Sequence, residues 1–515
     1  MIVLVFFFSF VLEMLVLLIT IIIATLIAFI FLKPLIDNLL HRVSNEPKYI
    51  HSYVPFIGFG RELFKDPIGF IRSLCQEHGK VFSISISLKR WVYMYDEQTY
   101  LTKVLKSPDL SIDDFLVDMT VTAVGINRPC LTNEDVKQMT QKQFHQYLVG
   151  DELEILNKRV YDSLIKSMKD DKKIVPADPS KTVNFFDLVS EFMLYAGCDG
   201  LFGPTFTNEQ RNSSPNFYEL YQGFERAFEL GVIRLPFRRF LYRSIFDKQL
   251  KFINRFSSLK RTNDGSQLIQ QREEMYRSDR FKDIFRDYDI GALQALLMYV
   301  AVGNTAPLSC WSVIDLFLHP EAMEAVKQEL KENLLVPTAI YEKETLAKLY
   351  VLDSCINESI RRISNSTSTR QALTNTTVEC IDKTKIGLRK GDMLIYPAFV
   401  KHFDPNLFGP KPYEYQYDRF VRKVNQTKAP SVMYFGCGTH ICPGRYWAIN
   451  EIKILVALII QHMDIEFVNM TEQDKEEYRK RQPYDYSKLI FTSGPKKGYE
   501  HKFDIRYSYK NFDDA

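Results

Sequence analysis

The sequence predicts a mainly α-helical protein with small β-sheets, preceded by one N-terminal transmembrane helix. Residues 1–32 are apolar apart from Glu13 and a few hydroxyl residues, and this run exceeds the ~20 residues that a helix needs to cross a bilayer. A second apolar stretch covers 290–318, and most of the chain before it has helical patterning with polar loops. Polar and apolar residues alternate over 81–88, which predicts a half-buried strand with 91–95 as its partner.

Composition bounds the size of the core and argues against one class of partner. The chain has 515 residues, 46% of them hydrophobic, so it can bury a large core. The formal net charge is only +3, so there is no bulk electrostatic case for binding nucleic acid. The eight cysteines are scattered without the spacing of a disulfide framework, which indicates a reducing compartment.

The sequence divides into a membrane anchor at 1–32, a basic, proline-containing hinge at 33–60 and a globular body at 61–515. No basic segment precedes the apolar run and no small-residue cleavage site ends it, so we expect the anchor to be retained. Arg42 and Lys48 are among the basic residues that follow it, and basic residues favour the cytosolic side of a membrane. The body is therefore expected in the cytosol.

The most informative stretch is F-G-C-G-T-H-I-C-P-G-R at 435–445. Cys442 stands among closely spaced glycines and directly before a helical pattern, so its sulfur is expected at a helix N-terminus, where a thiolate is favoured over a thiol. Gly436, Gly438 and Gly444 allow the backbone to approach a flat group closely. A single thiolate presented in this way suits the axial position of a haem iron. The helical pattern has one apolar face, formed by Ala448, Ile452, Leu455, Val456 and Ile459.

Two other interpretations of this stretch explain less of its pattern. A buried structural cysteine at a helix start is common, but it does not explain three glycines and an aromatic residue at fixed offsets. A zinc site built from Cys437, His440 and Cys442 would need a fourth ligand, and no second Cys/His cluster is nearby in the sequence. Haem ligation explains more of the pattern than either.

The 435–445 stretch resembles the haem-ligand loop of the cytochrome P-450 superfamily. The resemblance implies that Cys442 is the axial ligand of haem b and that Phe435 shields the thiolate. It also implies that His440 binds a haem propionate and that Gly436 and Gly444 belong to the haem-binding loop. The expected fold is that of the superfamily, with 61–515 as the haem-thiolate catalytic domain.

The apolar stretch at 290–318 predicts a helix through the core and not a second membrane span. Asn304, Pro307 and Asp315 are polar or helix-disrupting residues in its interior, which a lipid-exposed helix would not tolerate easily. Pro307 cannot donate to the carbonyl of Gly303, so a kink and a free acceptor are expected there. The stretch resembles the central helix of the superfamily, which crosses the oxygen-binding face of the haem.

A second family motif is N-E-S-I-R-R at 357–362. Glu358 and Arg361 lie three residues apart and can pair on one helical face, although an ordinary surface ion pair would look the same and contribute little. The resemblance implies a structural triad with Arg419, and a weaker haem-propionate contact for Arg370. One feature departs from the family, because 134–148 lacks the Trp and Arg that an early helix usually supplies to the propionates.

The central helix bears on the reaction. Gly303 and Asn304 stand where most family members have an acid and a threonine, and the surrounding string resembles the sterol 7-alpha-hydroxylases and their relative prostacyclin synthase. The favoured interpretation is a monooxygenase that hydroxylates a hydrophobic, sterol-like lipid, with Asn304 and Thr305 ordering protons. One alternative is a reductase-independent isomerase or dehydratase of a lipid endoperoxide or hydroperoxide. Another is a non-catalytic haem-containing lipid-binding protein.

The resemblance also implies partners and a location. The expected partners are a hydrophobic small-molecule substrate, an NADPH-dependent reductase and a membrane, with no nucleic acid. The protein is expected to be a single-pass protein of the endoplasmic reticulum membrane with its catalytic domain in the cytosol. The basic and aromatic residues at 234–243 fit either a surface that dips into the membrane or a solvated helix with buried aromatic rings.

Overall fold

The computed structural model describes most of the chain after the N-terminal segment. The described residues are 14–22, 24–25, 42–52, 58–86, 89–174, 182–233, 237–257, 264–334, 337–364, 366–421, 432–481, 483–485 and 492–510. Much of the predicted anchor and hinge therefore lies outside the described residues. The predicted boundaries at 32 and 60 stay predictions.

The described part is mainly helical with small β-sheets, so the predicted fold class is confirmed at that level. Besides the helical residues at 14–22 and 24–25, the α-helices are α1 Gly60–Lys65, α2 Pro67–His78, α3 Glu97–Thr99, α4 Asp113–Val124, α5 Pro129–Thr132, α6 Glu134–Tyr147, α7 Gly150–Ile174, α8 Phe185–Phe202, α9 Pro204–Arg211, α10 Phe217–Ile233, α11 Arg238–Leu241, α12 Arg243–Ser257, α13 Gln267–Tyr276, α14 Asp287–Leu318, α15 Pro320–Asn333, α16 Lys343–Lys348, α17 Tyr350–Ile363, α18 Ala398–Lys401, α19 Pro405–Phe408, α20 Arg445–His462 and α21 Glu472–Lys480.

The chain forms two units, of which the first comprises Met1–Ile112 and Thr367–Val400. This unit contains a six-stranded sheet in the order β1-β2-β3-β9-β6-β4 and a separate β7–β8 pair. The predicted strand pair is confirmed, since β2 and β3 are antiparallel and Ile84 faces Trp91. The strands in this unit are β1 Lys48–Ile50, β2 Val81–Ile86, β3 Lys89–Met94, β4 Leu110–Ser111, β6 Ser368–Ala372, β7 Thr376–Glu379, β8 Lys385–Leu388 and β9 Met393–Tyr396.

The second unit, Asp113–Ser366 with Lys401–Ala515, holds the large hydrophobic core and most of the helices. The described part of this unit contains a sheet of the order β10-β11-β5, formed by Met463–Phe467, Asp504–Tyr509 and Val183–Asn184. Helix α14 packs against α8, α12, α17 and α20, so it is covered on several sides. The core of this unit is built around that helix.

Helix α14 is long and apolar enough to cross a membrane, yet 72% of its most apolar window is buried inside the protein. The prediction of a core helix at 290–318 is therefore confirmed. The helix continues through Pro307 without a break. Trp311 near its C-terminal end is completely buried, with the rings of Phe186 and Phe503 edge-on to it at 5.2 and 5.4 Å.

The buried carboxylate of Asp315 on this core helix is satisfied by partners on α17. Its carboxylate accepts a hydrogen bond from Arg362 of α17 at 2.7 Å and another from the hydroxyl of Ser359 at 2.7 Å. Arg362 also donates to the carbonyls of Tyr478 and Arg479, and both charged side chains are almost fully buried. Because an isolated buried charge is costly, this pair fixes α14 and α17 to each other.

All eight cysteines are free thiols, as the scattered spacing predicted. Cys75, Cys437 and Cys442 are half-buried and the other five are buried. Burial raises the pKa of Cys75 to about 11 and that of Cys130 to about 12. Most of the thiols are therefore protonated at neutral pH.

The buried pair gives a prediction for stability. Asp315→Ala leaves the guanidinium of Arg362 buried without its carboxylate, so we expect the free energy of unfolding to fall by about 3 to 5 kcal/mol. Equilibrium urea unfolding followed by circular dichroism measures the change. Glu324→Ala is the matched control, because its ion pair with Lys327 is exposed and close to α14 in the chain. Equal losses in the two variants would contradict the assignment.

Candidate active site

Cys442 lies in the turn that leads into α20. Its backbone N–H donates to the carbonyl of Phe435 at 2.8 Å, which closes the loop between the two residues. Gly436 and Gly438 adopt φ values of +76° and +67°, a region that side chains other than glycine rarely occupy. The two glycines therefore allow the chain to turn within the loop. The hydrogen bond between the two backbones places Phe435 next to Cys442.

The ionisation of Cys442 differs from the expectation. Burial raises the pKa of its thiol, while the backbone N–H of Gly444 and the guanidinium of Arg445 act in the opposite direction. Desolvation outweighs these two contributions, so the pKa of the Cys442 thiol lies above its ordinary value in the protein alone, opposite in direction to the expected preference for a thiolate. A bound metal ion reverses this balance, since a coordinating thiol loses its proton.

The haem-loop interpretation is favoured over zinc by the arrangement of side chains. Within the described residues, no three His, Cys, Asp or Glu side chains converge as a metal site, and this includes Cys437, His440 and Cys442. His440 instead faces Asp113, with Nε2 3.7 Å from Oδ1. The three residues thus do not form the cluster that zinc requires.

Hydrogen bonds tie the loop to the helices behind it. The hydroxyl of Tyr434 donates to Oδ1 of Asn357 on α17. Asn357 in turn donates to the carboxylate of Asp353 at 3.0 Å, and Asp353 pairs with Lys453 of α20 at 2.7 Å. The loop therefore has a fixed position relative to α17 and α20.

The predicted triad is present and buried. Arg361 makes two parallel hydrogen bonds to the carboxylate of Glu358, at 2.7 and 2.8 Å, and Arg419 adds a third at 2.9 Å. Glu358 and Arg361 are fully buried, so the alternative of an ordinary surface pair is wrong. This geometry is specific to arginine, because only a planar fork can bind a carboxylate at two points.

Arg361 also organises the chain that precedes the haem loop. It donates to the carbonyls of His402 and Pro412 at 2.5 and 2.7 Å, and its guanidinium lies over the rings of Phe403 and Phe408. Burial, together with the Arg361 charge, lowers the pKa of His402 to about 3. His402 is therefore neutral and adds no further positive charge beside Arg361.

A cavity of about 530 Å³ lies beside the haem loop, and Thr439 and His440 form part of its wall. Helix α6 lines it with Lys137, Thr140 and Gln141, polar residues spaced three and four apart. These are the side chains that the early helix presents in place of the expected Trp and Arg. Sequence reasoning missed them, although their spacing on one helical face was a usable signal. The ammonium of Lys137 lies 3.9 Å from the same Asp113 carboxylate that His440 faces.

Another part of the cavity wall is apolar and comes from α14. It is formed by Leu293, Leu296, Leu297 and Val300, which share one face of the helix. Val300 is 44% exposed, an unusual value for a valine in a core helix. The next residue on this face, one turn further, is Asn304. An apolar stripe that ends in one amide is suited to a lipid with few polar groups.

The two predicted catalytic residues have different surroundings. Asn304 is half-buried, and its Oδ1 accepts a hydrogen bond from the backbone N–H of Thr492 at 3.0 Å. Thr305 is buried, and its hydroxyl donates to the carbonyl of Ala301 at 2.6 Å. The hydroxyl proton of Thr305 is thus directed to the main chain of its own helix, whereas Asn304 follows the cavity-lining stripe by one helical turn.

Arg370 belongs to the first unit. It is buried in β6, where its guanidinium donates to the carbonyl of Thr369 at 2.7 Å. Its contact with a haem propionate stays a prediction.

The residues around Cys442 fit a haem. Cys442 offers one soft sulfur ligand, and no atom of the described residues lies within 4 Å of the place that a Cβ at Gly444 would take. The cavity next to the loop has apolar side chains on one wall and polar ones on another, as an amphipathic macrocycle requires.

Comparison with known proteins agrees with this fit. The cytochrome P450 family model matches residues 52–487. The chain belongs to the cytochrome P450 family. Three similar relatives are cytochrome P450 7B1 of Mus musculus, 25% identical over 83% of this chain and 86% of the relative, 5-beta-cholestane-3-alpha,7-alpha-diol 12-alpha-hydroxylase of Sus scrofa, 26% identical over 83% and 88%, and cholesterol 7-alpha-monooxygenase of Cricetulus griseus, 25% identical over 91% and 94%.

As a P450, the chain is an oxidoreductase of the monooxygenase type. Its cofactor is a haem whose iron has an axial thiolate. The haem-loop resemblance read from 435–445 is therefore confirmed at the level of family and cofactor.

Proposed function

We propose that this P450 hydroxylates a sterol-like lipid, using dioxygen and electrons that an NADPH-dependent reductase supplies. The observation that carries the proposal is the apolar stripe of α14 at 293–300, which lines a cavity beside the Cys442 loop and is followed one helical turn later by Asn304. A rigid hydrocarbon with one or two oxygen atoms matches such a wall. The relatives named as acting on cholesterol and on a cholestane diol support the same substrate class.

The proposal assigns a role to five residues of the haem loop. Cys442 is the axial ligand, Phe435 covers it, and the N–H of Gly444 donates to its sulfur. Gly436 shapes the loop, and His440 binds a propionate. When bound, the haem supplies the activation of dioxygen, and the thiolate tunes it.

Asn304 is the polar residue that faces the reaction, with Thr305 as its helical neighbour. Because Oδ1 accepts from Thr492, the N–H groups of the amide are the donors that Asn304 can offer to the cavity. We assign to these donors the ordering of protons during oxygen activation. Within the described residues, neither N–H group has a protein acceptor that would compete for it.

A second candidate is the isomerisation of a lipid endoperoxide or hydroperoxide. The observation that favours it is the absence of an acid at Gly303 and Asn304, since such a substrate brings its own O–O bond and needs neither electrons nor protons from outside. The two candidates differ in their need for a reductase.

We also propose a single membrane-spanning anchor in the endoplasmic reticulum, with the catalytic body in the cytosol. The described part of the anchor, 14–22 and 24–25, is helical with exposed apolar side chains. The hydroxyls of Thr20 and Thr25 donate to carbonyls of their own helix, which is what a bilayer demands of polar groups. Phe237 and Phe240 are 81% and 85% exposed, so they favour the membrane-dipping interpretation of 234–243.

The ligand assignment has a direct spectroscopic check. Cys442→Ala should lose the thiolate-type spectrum of the reduced carbon monoxide complex, because no sulfur then reaches the iron. Cys437→Ala is the matched control, since Cys437 is also half-buried and lies in the same loop. We expect it to keep the spectrum. The reverse pattern would show that Cys437 is the ligand.

The reaction is tested with a panel of sterols and fatty-acid peroxides, each with and without a reductase and NADPH. We expect a sterol product only when both are present, with one oxygen atom from labelled dioxygen, detected by mass spectrometry. Omission of the reductase is the internal control. Turnover of a peroxide without any reductant, together with inertness toward every sterol, would replace the hydroxylase by the isomerase.

The membrane orientation is tested by glycosylation and extraction. Asn212 and Asn375 are exposed and lie in N-x-S/T sequons, so a lumenal body would be glycosylated there. We expect no change in mobility after glycosidase treatment of the native protein, and a shift would refute the cytosolic orientation.

Removal of residues 1–32 should move most of the protein from the carbonate-resistant membrane fraction to the extract. Retention of the truncated protein in that fraction would refute the anchor.

A further inference from the structure

Arg272 of α13 lines the cavity of about 530 Å³ beside the haem loop, and its side chain is only 3% exposed. Its Nε donates to Oε1 of Gln294 at 3.4 Å, which is a long hydrogen bond. In the described part of the chain, its two terminal nitrogens have no protein acceptor and no carboxylate lies within 4 Å of the guanidinium. Because a buried charge without a counter-charge is costly, this arrangement indicates an anionic ligand.

The other basic side chains in the described wall of this cavity already face carboxylates. Nζ of Lys137 lies 3.8 Å from a carboxylate oxygen of Glu134 and 3.9 Å from one of Asp113. Nε2 of His440 lies 3.7 Å from the same Asp113. The positive charge in this wall that lacks a neighbouring carboxylate is therefore that of Arg272.

Two aromatic rings and an amide fix the direction of the guanidinium. Its Cζ lies 5.4 Å from the ring centroid of Phe144 and 5.3 Å from that of Tyr276. Gln294 donates to Glu273 at 2.9 Å, so the amide oxygen that accepts from Arg272 is oriented by a partner of its own. The ring contacts stabilise the charge but accept no hydrogen bond from the terminal N–H groups in the plane of the guanidinium. A planar fork held in this way suits a carboxylate bound at two points.

Arg272 lies away from the end of the cavity where a haem propionate is expected. Its ring partner Phe144 follows Lys137 by seven residues on α6, a separation of about 10 Å along the helix axis. His440 lies at the Lys137 end, because both side chains face Asp113. An anionic group bound at Arg272 therefore occupies a different part of the cavity from a propionate bound at His440.

Arg272 also lies at the start of the apolar stripe of α14. Its partner Gln294 directly follows Leu293, the first residue of this helix in the cavity wall, and Val300 is the last, about 10 Å further along the axis. A ligand with a hydrocarbon body against the stripe can thus place an acidic end at the guanidinium.

We infer that Arg272 binds the carboxylate of an acidic lipid, a sterol whose side chain ends in a carboxylic acid, with the hydrocarbon body of the lipid along 293–300. The sterol body of this ligand rests on the proposed function. The carboxylate site does not, because it follows from the burial and the hydrogen bonds of Arg272 alone. Haem carries carboxylates of the same chemistry, so the test must separate a lipid carboxylate from a propionate.

The site is tested by isothermal titration calorimetry of the haem-loaded full-length protein with a carboxyl-terminated sterol and with its methyl ester. The ratio of the two dissociation constants isolates the charge, because the hydrocarbon body is the same. Arg272→Gln should reduce the preference for the acid by about tenfold or more, since charge-assisted hydrogen bonds are lost. Arg280→Gln is the matched control, because Arg280 is exposed and pairs with Asp135, and its ratio should stay within about twofold of the native one.

A second variant and two further measurements keep the site falsifiable if Arg272→Gln folds poorly. Arg272→Lys keeps the charge but not the planar fork, so it should retain part of the preference for the acid. An acid that binds the native protein no more tightly than its ester would overturn the inference without any variant. Loss of haem from Arg272→Gln at an unchanged ratio would overturn it as well, because Arg272 would then hold a propionate.

Myristic acid and its methyl ester separate the carboxylate site from the proposed function. A preference for this acid that depends on Arg272, without binding of either sterol, would refute the sterol body and support the site. Hydroxylation of a neutral sterol with reductase and NADPH, without a preference for either acid, would support the proposed function and overturn the site.

Discussion

The second unit depends on the neutralisation of buried charge on helix α17. Two adjacent arginines of this helix are buried, and each finds a carboxylate in a different direction: Arg361 pairs with Glu358 beside Arg419, and Arg362 pairs with Asp315. The first pair organises the chain before the haem loop, and the second holds the core helix α14. Since a buried charge without its partner is destabilising, both neighbours of α17 must be in place together. Contacts of α17 therefore fix the positions of both the cavity wall and the haem loop.

Helix α14 combines two requirements that usually conflict. Its central face must be apolar to line a cavity for a lipid, and its ends must make polar contacts to stay in register with the rest of the unit. The sequence separates them along one face, with leucines and Val300 first, then the amide of Asn304, then the indole of Trp311. Asp315 completes the series with a charge. A uniformly apolar helix of this length would pack equally well in several registers, whereas these contacts select one.

Local patterns carried most of what could be predicted. The Cys442 loop, the Glu358–Arg361 spacing and the alternating strand each lie within a few residues of chain, where spacing reports geometry directly. The contacts that were missed join distant residues: Asp315 and Arg362 are 47 residues apart, and Asn304 and Thr492 are 188 apart. A single sequence contains no signal for such pairs. The sign of the Cys442 pKa shift was missed for a related reason, because burial depends on the whole fold.

The burial of the thiols limits their oxidation by hydrogen peroxide that the enzyme itself releases. An enzyme that activates dioxygen releases some hydrogen peroxide, and peroxide attacks thiolates far faster than thiols. Burial raises the pKa of Cys75, Cys130 and Cys355 to about 11, 12 and 12, and that of Cys198, Cys310 and Cys380 above its ordinary value. At neutral pH these sulfurs are almost entirely protonated, so they are poor targets. Burial thus keeps these six sulfurs in the thiol form, in which the hydrogen peroxide that such an enzyme releases oxidises them only slowly.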